Sequence, residues 1–199
     1  MSVWSWRSLV VVAALVAAAL LPLRAQAQNI TGAEVVFGVL DHDTRLLEGR
    51  EKGVDINPEV IFWSPITDDM IANAPAWLYW TLQPRPTIGG DINTAGTTDQ
   101  AYVGATWSWY LKQNVFNPGD GIVLDYFFGP GFNDGQIANG NSERKALGSH
   151  VLFREAFDLG YQINPTWVIS AHIDHISNGG LAKENQSIND LGIRLGYRF

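Results

Sequence analysis

Asp190-Leu191-Gly192-Ile193-Arg194-Leu195-Gly196-Tyr197-Arg198-Phe199 ends the 199-residue chain with an unbroken alternation. Leu191, Ile193, Leu195, Tyr197 and Phe199 share one parity; Asp190, Gly192, Arg194, Gly196 and Arg198 share the other. Successive side chains of a strand point to opposite faces, so this segment is a strand with one apolar and one polar or small face. A soluble sandwich also alternates, but a second sheet closes over its inner face.

Earlier segments repeat the pattern. Glu34–Leu40 reads as a first strand and Val54–Phe62 as a second, weakened by Pro58. Ser64–Pro75 is a connection with room for a short helical turn. The aromatic run Trp77–Thr87 is expected to form the third strand, followed by a Gly/Asn/Thr-rich loop from Gly89 to Thr98. Ala101–Leu111, Ile122–Gly129, His150–Tyr161 and Trp167–Ser177 supply strands four to seven, with turns at Asn117–Gly121 and Asn164–Thr166 and a polar loop from Pro130 to Ala146.

Composition narrows the class. Charged residues make up only 17% of the chain, against about 25% in a soluble domain, while 8 Trp, 6 Tyr, 9 Phe and 20 Gly are present. With no cysteine, there is no disulfide, thiolate metal site or cysteine nucleophile. Arg7, the apolar run Leu9–Leu23 and Ala25-Gln26-Ala27 have the order of a cleaved secretory signal. Residues 1–27 are therefore expected to be a signal peptide, and 28–199 a single domain. Of 13 basic residues, removing Arg7 and Arg24 leaves 11 against 20 acidic ones, a net charge of −9, which argues against nucleic acid as a partner. Eight alternating strands after an export signal predict an all-β, eight-stranded antiparallel transmembrane barrel of the outer-membrane type, apolar outside and polar inside. The final aromatic resembles the assembly signal of bacterial outer-membrane proteins. An even strand count puts both ends at the periplasmic side, so strand seven runs outward.

Strand seven carries the candidate chemistry. Trp167, Ile169, Ala171, Ile173, His175 and Ser177 share its lipid-facing parity, and Ser170, His172 and Asp174 the other. A hydroxyl is a weak nucleophile until a neighbouring base takes its proton, and two residues on one strand face lie close enough to meet. The plain alternative is two wetted polar residues at a barrel rim. Asn189 has the outward parity of strand eight and can orient the imidazole; Asp190 has the inward parity. Asn178-Gly179-Gly180 offers an amide and flexible backbone N–H groups of the kind an oxyanion hole needs.

His175-Ile176-Ser177-Asn178-Gly179-Gly180-Leu181 resembles the H-x-S-N-[AG]-G-L signature of the lipid A 3-O-deacylase (PagL-type) family, also called acyloxyacyl hydrolases. Arg85-Pro86 with Asn93–Thr98 is similar to the family's loop after its third strand, and Leu147-Gly148-Ser149 with Phe153-Arg154-Glu155 to its sixth strand. The resemblance implies an outer-membrane esterase that removes an ester-linked acyl chain, at the 3-position, from lipid A of lipopolysaccharide without a cofactor or metal. It implies Ser177 as nucleophile, His175 as base, and Asn178 and Gly180 at the oxyanion hole. The best-known member has a Glu as the acid of its triad, where this chain has Asn189; Glu184 and Asp190 are the alternative third partners. An Asn stabilises an imidazolium less than a carboxylate does, which predicts lower activity. A homodimer is left open. Rival readings are a structural or adhesive barrel and a lipid acyltransferase.

Other polar residues fit bland roles. His172 and Asp174 are expected to be hydrogen-bonded in the lumen rather than to hold a metal. Asp41-His42-Asp43 is expected to be a solvated acidic loop, with cation bridging to lipid phosphates as the alternative. Trp77, Trp80, Trp107, Trp109 and Trp167 are expected in the interfacial girdle.

Overall fold

The computed structural model describes residues 30–47 and 49–199, so the expected signal peptide lies outside the described residues. Eight antiparallel strands close in chain order: β1 Glu34–Asp41, β2 Val54–Ile61, β3 Arg85–Asn93, β4 Gln100–Gln113, β5 Gly121–Asn133, β6 Val151–Gln162, β7 Trp167–Ser177 and β8 Ile188–Arg198. The closing seam pairs β1 with β8 from Glu34↔Arg198 to Asp41↔Leu191. No helix among the described residues is long and apolar enough to cross a membrane; the chain has the outer-membrane type of barrel, which crosses with strands.

Burial follows the alternation. Val35, Phe37, Val39, Ile193, Leu195 and Tyr197 are exposed on the outer wall, while Arg194 and Arg198 are buried in the lumen. A lumen of this width is filled by side chains, and here the filling is charged. The guanidinium of Arg154 donates to Asp174 at 3.0 Å and Asp91 at 3.2 Å, and stacks 3.9 Å above the Tyr102 ring. Arg194 joins Glu59 and Asp158, and Arg198 joins Glu34.

The third strand lies later in the chain than the aromatic run implied. Ala76–Thr81 forms a 3-10 helix, and the carbonyls of Trp80 and Thr81 accept the indole N–H of Trp109 (2.8 Å) and Trp107 (2.9 Å) instead of entering a ladder. Of the segment expected as a loop, Gly89–Asn93 completes the strand, while Thr94–Thr98 turns as expected. At Gly89, opposite Tyr102, an added Cβ would stand 2.5 Å from the phenol ring, so only glycine lets that ring lie across the lumen. β5 likewise runs on to Asn133, past Gly129, and Leu147-Gly148-Ser149 precedes β6 as loop.

Connections 42–53, 94–99, 134–150 and 178–187 lie at the end opposite the termini. Residues 62–84, 114–120 and 163–166 lie at the termini end. The longest connection, 62–84, is thus at the termini end, where it folds back with a helical turn at Asp68–Ile71 and the 3-10 helix beside β4. Trp80, Trp107, Trp109 and Trp167 cluster towards this end, as a girdle would; the Trp77 side chain lies outside the described residues.

Removing the Arg154 guanidinium leaves Asp91 and Asp174 buried without their shared cation, a change that typically costs about 3–5 kcal/mol. Arg154→Met should accordingly lower the urea midpoint of the refolded barrel in micelles. An unchanged midpoint would mean that these carboxylates do not depend on Arg154.

Candidate active site

β7 brings His175 and Ser177 to the outer wall at the end of the barrel opposite the termini, both partly exposed. The Ser177 hydroxyl lies 3.1 Å from His175 Nε2. On β8, Asn189 is the register partner of His175, and its Oδ1 lies 2.7 Å from His175 Nδ1. An amide oxygen only accepts, so Nδ1 is the protonated nitrogen and the Nε2 lone pair faces the hydroxyl. That is the tautomer a general base needs. Of the three expected third partners, Asn189 is the one in contact. Asp190 points into the lumen and accepts the Asp43 N–H at 2.7 Å; Glu184 meets Asn178 only through its carbonyl.

The loop after β7 is held by Asn178, which is buried. Its Nδ2 donates to Leu147 O (2.8 Å) and Glu184 O (2.5 Å), its backbone N–H to Asn185 Oδ1 (3.0 Å), and its Oδ1 accepts the Gly180 N–H (2.9 Å). The donors expected at an oxyanion hole, Asn178 and Gly180, are therefore engaged in building the loop. The intervening Gly179 N–H donates to no group among the described residues. Gly179 and Gly180 both have left-handed φ, +64° and +82°, which aims their N–H groups in a way other residues rarely adopt. Asn185 and the Leu147 carbonyl could not be singled out from sequence, because their roles depend on loop closure.

Around the pair the wall is apolar. Phe153, the register partner of Ser177 on β6, stacks on Phe128 of β5 with ring centroids 6.4 Å apart and planes 9° apart. Ile173 and Leu181 are exposed nearby in the chain.

The inward polar residues form a separate network. His172 contacts Asp158 (2.9 Å) and Asp174 (3.0 Å), as hydrogen-bonded lumen residues do. Among the described residues, His42/Asp55/Asp190 and Asp91/Asp174/Asp190 are close enough to hold a cation. Their oxygens already meet other partners: Asp91 binds Asn57 and Arg154, and Asp190 binds the Asp43 N–H. The Asp41–Asp43 segment departs from the expected solvated loop, since His42 and Asp43 are buried in the barrel mouth. Asp43 accepts the N–H groups of Arg50 and Glu51 and lies 2.6 Å from Lys145 Nζ, so the loop turns inward over the lumen.

Burial disfavours a charged His42, but hydrogen bonds to Asp55 (2.7 Å) and Glu51 (3.4 Å) outweigh it and push its pKa up to about 11. Burial likewise opposes charge on Glu51, but His42, the Lys145 N–H and the Thr98 hydroxyl hold its carboxyl below the ordinary value. A raised histidine pKa contributes stability that is complete below about 6.5, the value in the unfolded chain, and is lost as pH rises through the folded value. Glu51 contributes above its ordinary 4.5, and that share is lost in acid. The stability of the refolded barrel should therefore decline between pH 7 and 9.5. His42→Gln should flatten that slope in micelle denaturation curves; an identical slope in the variant would exclude His42 as its source.

A family model described as lipid A 3-O-deacylase (PagL) matches residues 72–198. Among solved structures, the outer membrane enzyme PagL superposes with a TM-score of 0.59 at 13% identity, covering 82% of this chain and 97% of that one. The N-terminal β-barrel domain of Pseudomonas aeruginosa OprF superposes with a TM-score of 0.51 at 11% identity, covering 86% and 100%. At such identities the structural likeness is one of fold. No curated protein matches the sequence.

Proposed function

The chain belongs to the lipid A 3-O-deacylase (PagL) family, and on that premise we propose that it is an outer-membrane serine esterase that hydrolyses the 3-position acyl ester of lipid A. The observation that carries this reading is the chain of contacts Asn189 Oδ1–His175 Nδ1 (2.7 Å) and His175 Nε2–Ser177 Oγ (3.1 Å) on the lipid-facing wall. Ester groups of a lipid lie at the membrane interface, and the pair sits near the end of its strand, where that interface is expected.

In this mechanism Ser177 Oγ attacks the acyl carbonyl while its proton passes to His175 Nε2. The tetrahedral intermediate collapses as the imidazolium returns the proton to the leaving sugar oxygen. Water, deprotonated by the same nitrogen, then releases the fatty acid from Ser177. Asn189 fixes the tautomer and orientation without adding a charge. The open Gly179 N–H supports its use as an oxyanion donor; Gly180 and Asn178 would join only by exchanging their present bonds as substrate binds.

Ser177→Ala and His175→Ala should each lower deacylation of lipopolysaccharide by pure, refolded protein by about a thousandfold or more, and Asn189→Ala by about tenfold. Release of fatty acid is the readout. Wild-type turnover in Ser177→Ala would overturn the assignment.

A further inference from the structure

Away from the strand ends, the outward positions of all eight strands carry one fixed charge, Glu155 on β6. Its neighbours on that face are Phe153, Phe157, Tyr126, Phe128, Ile173 and His175. A charged side chain on the lipid face of a barrel costs little near the interface and more with depth, and an isolated one at this height invites a functional reason. The register supplies it, since Glu155 is the partner of His175 in the β6–β7 ladder. Directly opposed side chains on one face stand about 5 Å apart at Cβ. His175 is thus flanked by Asn189 on one side and a carboxylate on the other.

We propose that Glu155 is a positioning residue that stabilises the His175 imidazolium, supplying from β6 the negative charge that Asn189 on β8 cannot. The inference rests on the esterase reading above. Both ring nitrogens of His175 are engaged, Nδ1 by Asn189 and Nε2 by Ser177, so Glu155 acts through its charge, in a setting where water is partly replaced by lipid. The Glu155 side chain is exposed on the outer wall, where its charge acts on the Tyr126 phenol as well. Asp41, outward at the end of β1, stands diagonal to Asn189 and two strands from the ring. β8 presents Asn189 and Leu191, β7 presents Ile173 and Ser177, and Tyr126 of β5 lies diagonally beyond Glu155. Asp174 and Asp190, the chain neighbours of His175 and Asn189, point through the wall to Arg154, His172 and the Asp43 N–H. Lys183 and Glu184 belong to the loop beyond the strand end.

The test compares pure, refolded full-length Glu155→Gln, Glu155→Asp and Ser177→Ala on lipopolysaccharide across pH. Folding of each is checked by the heat-dependent shift of a barrel on gels. Glu155→Gln should lower kcat about tenfold with KM nearly unchanged, and should move the acid limb of kcat to lower pH, because the imidazolium loses its counter-charge. Glu155→Asp should keep most of the rate, and Asn189→Glu should restore kcat to Glu155→Gln. A folded Glu155→Gln with parental kcat and acid limb, alongside inactive Ser177→Ala, would overturn this inference alone. Parental turnover in Ser177→Ala would instead overturn the esterase reading on which it rests. If Glu155→Gln fails to fold, Glu155→Leu, apolar like the wall around it, is read in its place: a parental acid limb would overturn the electrostatic role, and a limb shifted to lower pH would support it.

Discussion

Closure of β1 onto β8 is the constraint from which the rest follows. In hydrocarbon a backbone N–H or C=O without a partner costs several kcal/mol, so a sheet can cross only if its two edges find each other. Eight consecutive pairs, from Glu34↔Arg198 to Asp41↔Leu191, make that seam. Closure also fixes which face of every strand meets lipid. One residue of slip would turn Arg194 and Arg198 outward and Ile193 and Leu195 into the lumen.

With the faces fixed, the two surfaces do different work. The lumen is packed with ion pairs around Arg85, Arg154, Arg194 and Arg198, and His42, Asp43 and Lys145 are buried above them. Away from the strand ends the outer wall is apolar around Glu155, and His175, Ser177 and Asn189 gather beside it. On the proposed reading, chemistry on that wall meets its substrate in the plane of the membrane. The rigidity of the ladder does the positioning that a pocket does elsewhere, because neighbouring strands hold Glu155, His175 and Asn189 in one row.

Strands seven and eight were legible because alternation there is clean and a face-parity argument survives small errors in strand ends. His175, Ser177 and Asn189 could be placed together on that basis. The third strand was misplaced for two physical reasons. The aromatic run at residues 77–81 imitates a strand while serving as a helical turn under Trp107 and Trp109, and Gly89 hides a strand whose missing side chain makes room for Tyr102. The His42–Asp43 segment was misread as solvated because its partners, Asp55, Lys145 and Asp190, come from distant parts of the chain. The same holds for Asn178, whose amide reaches the Leu147 carbonyl, and for Glu155, whose relation to His175 exists only in the register.

The central claim is that this chain removes an ester-linked acyl group from lipid A in the membrane that holds it. Mass spectrometry of lipid A from a host that expresses the protein, beside one that expresses folded Ser177→Ala at equal level, measures this most directly. A species lighter by one ester-linked acyl chain, present with the parental protein and missing with the variant, is the predicted result. Lipid A of unchanged mass, or heavier by an acyl chain, would contradict the account.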